Sequence, residues 1–394
     1  MDNKYLYWGA LPGERDGGAI VNYYLLKKQG EIRPRDTYYG VPKVPEELDA
    51  SLLPWINYLP RTDSQGIASI MTTNKIPLLN IFHMGKDDID GCLDPVHNAG
   101  GKIVLNQTIH WSDDDIFKSK RLKEIDKIVT PTEYAKALFN VLGKIPLENL
   151  EYIPHAVDTK RFYKHKTILE KYYGIDKNRQ KVILYSGRLG FWKGVHQIIP
   201  IMRKLIQQFN CVFIIRGSSF GDAESTKLGQ IFERLSYNNP NIIYLPQWQT
   251  PAFMEELFAM TDILLFNSAH EGFGVPLIEA MACEAVPIAT AIPNHIEILG
   301  RTGLCGMLID PTLKVGTVND DRVLKVATSD NLYDTCKWLL ENPDEMKIMG
   351  ERGVEIVKEK YELTNICLKW LALYDSMLQG HDMDKAMVER LKIE

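Results

Sequence analysis

The chain of 394 residues has no apolar run near the ~20 residues that a membrane helix requires, so it is not expected to span a bilayer. It begins Met1-Asp2-Asn3-Lys4 and passes directly into Tyr5-Leu6-Tyr7-Trp8. That stretch is too short for the apolar core of a signal peptide, and a cytoplasmic location is expected. Its six cysteines, Cys92, Cys211, Cys283, Cys305, Cys336 and Cys367, include no close pair. This excludes a disulfide framework and the usual zinc spacings, and several sit in apolar runs, as buried thiols do. The net charge is only −5, too small and of the wrong sign to draw the chain onto nucleic acid. Lys118-Ser119-Lys120-Arg121 is read as a solvated helix face. There is no short repeat and no low-complexity tract.

What is present is a soluble globular composition, 45% hydrophobic and 25% charged, at a length suited to two domains. Apolar runs of strand length alternate with helical periodicity. In the first half the predicted strands are Tyr5–Trp8, Pro77–Phe82, Lys102–Leu105 and Lys127–Val129. In the second half they are Val182–Tyr185, Val212–Ile215, Ile242–Leu245, Ile263–Phe266, Val286–Ala289 and Met307–Ile309. Helical patterns between them include Val195–Gln208 and Thr250–Met260. Alternation of this kind predicts an α/β fold: two doubly wound, Rossmann-like domains with parallel sheets covered on both faces. The polar stretch 158–180 reads as the link between them. Strands are expected to stop after about Asp320, followed by helices at Asn331–Glu341, Asp344–Lys358 and Leu363–Met377 and an amphipathic tail, Met383–Leu391. The expected division is 1–165 and 166–374, with residues 375–394 bracing the first domain. Residues 31–60 show weak periodicity and carry no assignment.

Three stretches carry chemistry. After the strand Ile263–Phe266 comes Asn267-Ser268-Ala269-His270-Glu271-Gly272-Phe273-Gly274-Val275-Pro276-Leu277-Ile278-Glu279. The glycines permit a tight turn, Pro276 suits the first turn of a helix, and free N–H groups would face a phosphate or a hydroxyl. Glu271 and Glu279 would accept hydrogen bonds from vicinal hydroxyls. Singly, each carboxylate reads as readily as a partner of the helix dipole. The second stretch, Leu184-Tyr185-Ser186-Gly187-Arg188-Leu189-Gly190-Phe191-Trp192-Lys193-Gly194, follows the strand that opens the second domain. Arg188 and Lys193 would hold a diphosphate and stabilise the charge it gains on departure; alone, they read as solvated cations. The third, Gly9 to Ala19 after the first strand, places Gly17-Gly18 before a helical run, Ala19–Lys28. It matches neither the dinucleotide fingerprint nor a Walker loop.

In this order and on this architecture the stretches resemble glycosyltransferase family 4, of the GT-B fold. Glu271…Glu279 looks like the family's E-x7-E string, and Gly187-Arg188…Lys193-Gly194 like its G-R…K-G motif. Ile153-Pro154-His155-Ala156-Val157-Asp158 through Phe162 is similar to its interdomain P-N-G-V-D-x-x-x-F segment, with His155-Ala156 in place of Asn-Gly. The resemblance implies two domains facing a central cleft, a donor-binding second domain and an acceptor-binding first domain. It implies a retaining hexosyl transfer from a UDP- or GDP-linked sugar to an acceptor hydroxyl. Arg188 and Lys193 would contact the diphosphate, Glu279 the ribose and Glu271 the transferred sugar. Phe273, Gly274 and Val275 would lie against sugar or phosphate, and Gly17 and Gly18 would approach the diphosphate. Gly187, Arg216 and Gly217 would line the donor site, and His110 is the candidate near the sugar. The family implies no metal and no other cofactor. Ser112-Asp113-Asp114-Asp115 accordingly reads as a helix cap rather than a cation site. The acceptor stays open among a sugar, a lipid and a small molecule. A lipid would bring the enzyme to a membrane surface without requiring insertion. Rival readings are a sugar-nucleotide epimerase, a phosphorylase and a catalytically silent sugar-nucleotide-binding protein.

Overall fold

The computed structural model describes residues 4–9, 17–34, 36–40, 57–59, 63, 66–82, 85–109, 115–219, 221–318, 322–380 and 383. Two compact units divide the chain: 1–156 with 361–394, and 157–360. The boundaries expected at 165/166 and 374/375 are therefore moved. The first falls inside the Pro154–Phe162 segment. The second falls earlier because the apolar helix beginning at Leu363 packs on the first unit.

In the first unit the elements are β1 (Tyr5–Gly9), α1 (Gly17–Ile32), β2 (Thr37–Gly40), β3 (Asn57–Leu59), α2 (Ile67–Asn74), β4 (Leu78–Phe82), α3 (Lys86–Asn98), β5 (Lys102–Asn106), β6 (Lys127–Thr130), α4 (Glu133–Val141) and β7 (Leu150–Tyr152). The second unit follows with α5 (Ile168–Tyr173), β8 (Lys181–Ser186), α6 (Ile199–Gln208), β9 (Cys211–Arg216), α7 (Ala223–Asn238), β10 (Ile242–Leu245), α8 (Pro251–Ala259) and β11 (Ile263–Phe266). It continues through α9 (Val275–Ala282), β12 (Val286–Thr290), α10 (Pro293–Leu299), β13 (Met307–Ile309), β14 (Leu313–Val318), β15 (Arg322–Val326), α11 (Ser329–Glu341) and α12 (Pro343–Lys360). The chain then returns to the first unit as α13 (Leu363–Gln379).

The first sheet runs β3-β2-β1-β4-β5-β6-β7 and the second β10-β9-β8-β11-β12-β13, each parallel throughout. Both faces of the strands are apolar for a reason visible at β1. Leu6 and Trp8 join a cluster with Ile89, Val96 and Phe139, while Tyr5 joins one with Leu25, Trp370, Leu371 and Tyr374. Period-2 side chains thus feed two separate cores. The buried Arg33–Asp375 ion pair, with Nη2 2.5 and 2.7 Å from the carboxylate oxygens, also ties α13 into this unit.

Ten expected strands are present, most extended by a residue or two. The strands β2, β3 and β7 were not expected; β2 and β3 lie in the stretch 31–60, where periodicity is weak. The expectation that strands stop after Asp320 is corrected by β15, which pairs antiparallel with β14 in a hairpin. The stretch 158–180 is not a bare linker: it contains α5, opened by a Thr167–Glu170 capping box. The predicted helix Val195–Gln208 is a 3-10 turn, Val195–Gln197, followed by α6 with Pro200 in its first turn. Lys118–Arg121 is no helix face, since Arg121 folds back on Asp94 and Glu124. None of the six cysteines is in a disulfide, and all are buried. Met383 is helical, and the rest of the predicted tail lies outside the described residues, as do Ser112–Asp114. Among the described residues no helix is long and apolar enough to cross a membrane.

Candidate active site

The strand order of the second unit reverses between β8 and β11, which lie side by side although β9 and β10 come between them in the chain. In open parallel sheets the loops leaving the C-terminal ends of two such strands splay apart and form the ligand crevice. Those loops are residues 187–194 and 267–274, the two motif-bearing stretches.

The β8 loop is built by close backbone approach. A Cβ on Gly217 would overlap the carbonyl oxygen of Gly187, so the β8 and β9 exits meet through two glycines. The Tyr185 hydroxyl donates to the Arg188 carbonyl at 2.5 Å and sets the turn, leaving the Arg188 side chain exposed. A 3-10 turn, Phe191–Lys193, follows, and Gly194 ends it in the left-handed region at φ 65°. Trp192 lies back over Gly190 and stacks on His270, with ring centroids 4.6 Å apart.

The β11 loop meets it from the other side. Lys193 Nζ forms an ion pair with Glu271 Oε1, and it sits 4.4 Å from the Trp192 ring centroid and 5.8 Å from that of Phe266. Burial alone would raise the Glu271 carboxyl. The Lys193 charge and hydrogen bond, with His295 and Ser268, outweigh that and hold it below its usual range. Asn294 Nδ2 donates to the Glu271 carbonyl. Gly274 takes φ 115°, a conformation that disfavours any side chain, and hands the chain to α9 with Val275 as first helical residue and Pro276 next. Phe273 is buried.

Glu279 lies one turn into α9 and is partly buried. Burial pushes its carboxyl up to about 7 against the opposing charge of Arg216, while Glu255 raises it further. Arg216, at the end of β9, is in turn weakened as a base by burial, and Glu279 counteracts this. The structure thus holds an ionised, paired carboxylate at Glu271 and one poised near neutrality at Glu279.

Of the residues singled out from sequence, Gly187, Arg188, Lys193, Arg216, Gly217, Glu271, Phe273, Gly274, Val275 and Glu279 all lie on or next to the C-terminal ends of β8, β9 and β11. Gly17 and Gly18 are the first residues of α1, in the first unit. His110 falls outside the described residues. Sequence reading missed Asn294 and His295. The fully buried His295 donates Nδ1–H to the Thr290 carbonyl at 2.8 Å, and burial holds its pKa down at about 4, against the pull of Glu271. A lone histidine on a short helix gives no sequence signal of that place.

Residues 173–355 match the family model described as glycosyl transferases group 1. The chain is similar to N-acetyl-alpha-D-glucosaminyl L-malate synthase of Bacillus anthracis, 23% identical over 292 residues, which cover 71% of this chain and 70% of that protein. It is similar to a processive diacylglycerol alpha-glucosyltransferase of Acholeplasma laidlawii, 26% identical over 179 residues, 44% of this chain and 51% of that one. Among solved structures, Anabaena HepE in complex with UDP and glucose superimposes with a TM-score of 0.72 at 16% identity. That match covers 95% of this chain and 99% of HepE. Sucrose-phosphate synthase of Thermosynechococcus elongatus gives 0.74 at 15% identity, over 96% of this chain and 100% of that one. These likenesses establish the fold.

Proposed function

From the premise that the chain is a group 1 glycosyltransferase of the GT-B fold, we propose that its second unit binds a nucleoside-diphosphate sugar and that the transfer retains anomeric configuration. The observation that carries this reading is the meeting of Lys193 with Glu271 across the β8–β11 switch point. An ammonium there would compensate the charge that gathers on a departing diphosphate. Arg188, from the same loop, would add a planar fork of donors. Glu271 would accept from hydroxyls of the transferred sugar and Glu279 from the ribose, while the loop 272–274 and the start of α9 would lie against sugar and phosphate. The structure of HepE with UDP and glucose supports the choice of donor class.

Retention fits a front-face displacement in which the leaving phosphate oxygen takes the acceptor's proton as the glycosidic bond to the donor breaks. The transition state would resemble an oxocarbenium ion. No dedicated base is then required, and positioning supplies much of the rate. The chemistry needs no metal, since the cations of the β8 loop take that part.

The test is a panel of UDP-glucose, UDP-N-acetylglucosamine and GDP-mannose, read by thermal stabilisation and by nucleoside-diphosphate release. One member should stabilise the chain and be turned over. A panel that binds without any release, even with sugar and lipid acceptors supplied, would favour a silent sugar-nucleotide-binding protein.

A further inference from the structure

Asn267 follows β11 immediately, and its side chain is fully buried. Its amide joins three separate segments. Oδ1 accepts from the Ala327 N–H at 2.8 Å and from the Thr290 hydroxyl at 3.0 Å. Nδ2 donates to the Ala327 carbonyl at 3.0 Å and to the Gly194 carbonyl at 3.5 Å. Ala327 follows β15, and Gly194 closes the turn that carries Lys193. Both hairpin strands, β14 and β15, pack against that turn, Phe191–Lys193. A second tie lies one step along: Gln197 Oε1 accepts from the N–H of Ser329 at 2.9 Å and from its hydroxyl at 2.7 Å.

The fit leaves no slack. A Cβ on Gly194 would overlap the backbone carbonyl of Asn267. An apolar side chain at 267 would orphan buried groups at Thr290 and Ala327, each a real cost, and would remove one of the two donors to the Gly194 carbonyl, which the Gln197 N–H also reaches at 3.0 Å. A two-stranded hairpin is marginal by itself, so β14–β15 is held by what it packs on. A fully satisfied polar knot of this kind selects one arrangement of the segments it joins.

We propose that Asn267 is a positioning residue for the donor's diphosphate: it locks the Lys193 turn to the β14–β15 hairpin and so holds the ammonium at one place beside Glu271. The inference rests on the assignment of Lys193 to the diphosphate. Asn267 acts through Gly194 and Lys193, and a displacement of the order of 1 Å in a positioned group costs about 100-fold in rate.

A double-mutant cycle on the full chain tests it, using the panel nucleotide sugar that is turned over and reading nucleoside-diphosphate release. Asn267→Ala should lower turnover roughly 10- to 100-fold in the parent. It should have less than about a twofold further effect when Lys193 is already Ala, because the group it positions is gone. Equal losses in both backgrounds would mark Asn267 as merely structural and overturn the proposal, as would no loss in the parent. If Lys193→Ala itself leaves turnover unchanged, the diphosphate assignment falls first, and the inference with it. Should Asn267→Ala fail to fold, Gln197→Ala breaks the second tie from a partly exposed position, and the same non-additivity with Lys193→Ala is expected. Additive losses for that pair count against the proposal.

Discussion

The Lys193 ammonium is held by the Glu271 carboxylate, and each side chain keeps only 11% of its surface exposed. Such a pair resists being split. Removing one partner strands a charge in a poorly solvated place, at a cost of about 3 kcal/mol. Catalysis and stability are therefore entangled at this position, and they can be separated.

Lys193→Ala should lower turnover by about 100-fold or more, the usual effect of losing one group that stabilises transition-state charge. It should also lower the melting temperature. Adding Glu271→Gln should restore much of the stability, since no carboxylate is left unpaired, without restoring turnover. Recovery of turnover in the double variant would show that Lys193 does no more than neutralise Glu271.

Glu279 and His295 give opposite pH dependences. A carboxyl raised to about 7 keeps its proton in the folded state where the unfolded chain has lost it, so its contribution to stability falls as pH rises from about 4.5 to 7. A histidine lowered to about 4 stays neutral where the unfolded chain is charged, so its contribution rises with pH from about 4 to 6.5. Between about pH 4.5 and 6.5 the two oppose each other. Relative to the parent, Glu279→Gln should gain stability with rising pH and His295→Phe should lose it, each by up to about 1.4 kcal/mol per pH unit. Chemical denaturation across this range reads both slopes; parallel curves for parent and variant would refute the corresponding assignment.

Donor binding should share the Glu279 titration. Ribose hydroxyls donate to a carboxylate more strongly than to a neutral acid. UDP or GDP affinity, whichever is bound, should rise as pH passes through about 7, and Glu279→Gln should flatten that rise. Calorimetry at three pH values, with the nucleotide's own titration subtracted, provides the comparison.

In the first unit, Asp375→Ala should cost about 3 to 5 kcal/mol, because it leaves the Arg33 guanidinium buried against α13 without its carboxylate. The loss should appear in the unfolding of that unit, with nucleotide binding to the other unchanged in affinity. A loss within about 0.5 kcal/mol would place the pair among ordinary surface bridges.

Much of the fold was legible because a parallel strand buried on both faces is a continuous apolar run. Val182–Tyr185 and Ile263–Phe266 stand out for that reason. The site's glycines and prolines were legible because special backbone geometry restricts residue choice. Gly194, Gly274 and Pro276 show this, and so the two motif stretches could be read directly. The hairpin β14–β15 escaped notice, since Lys314, Gly316 and Thr317 interrupt its apolar pattern and its stability comes from the Lys193 turn beneath it.

By itself, then, the sequence determined the identity of ten strands and of several helices, the parallel architecture and the residue types at the site. Each follows from local periodicity or from one residue's backbone limits. Tertiary structure alone decided that Lys193 meets Glu271 from 78 positions away, that Glu279 and His295 titrate in opposite senses, and that Asn267 spends its amide on Gly194 and Ala327. Those outcomes depend on desolvation and on distances between segments remote in the chain, which no local pattern encodes.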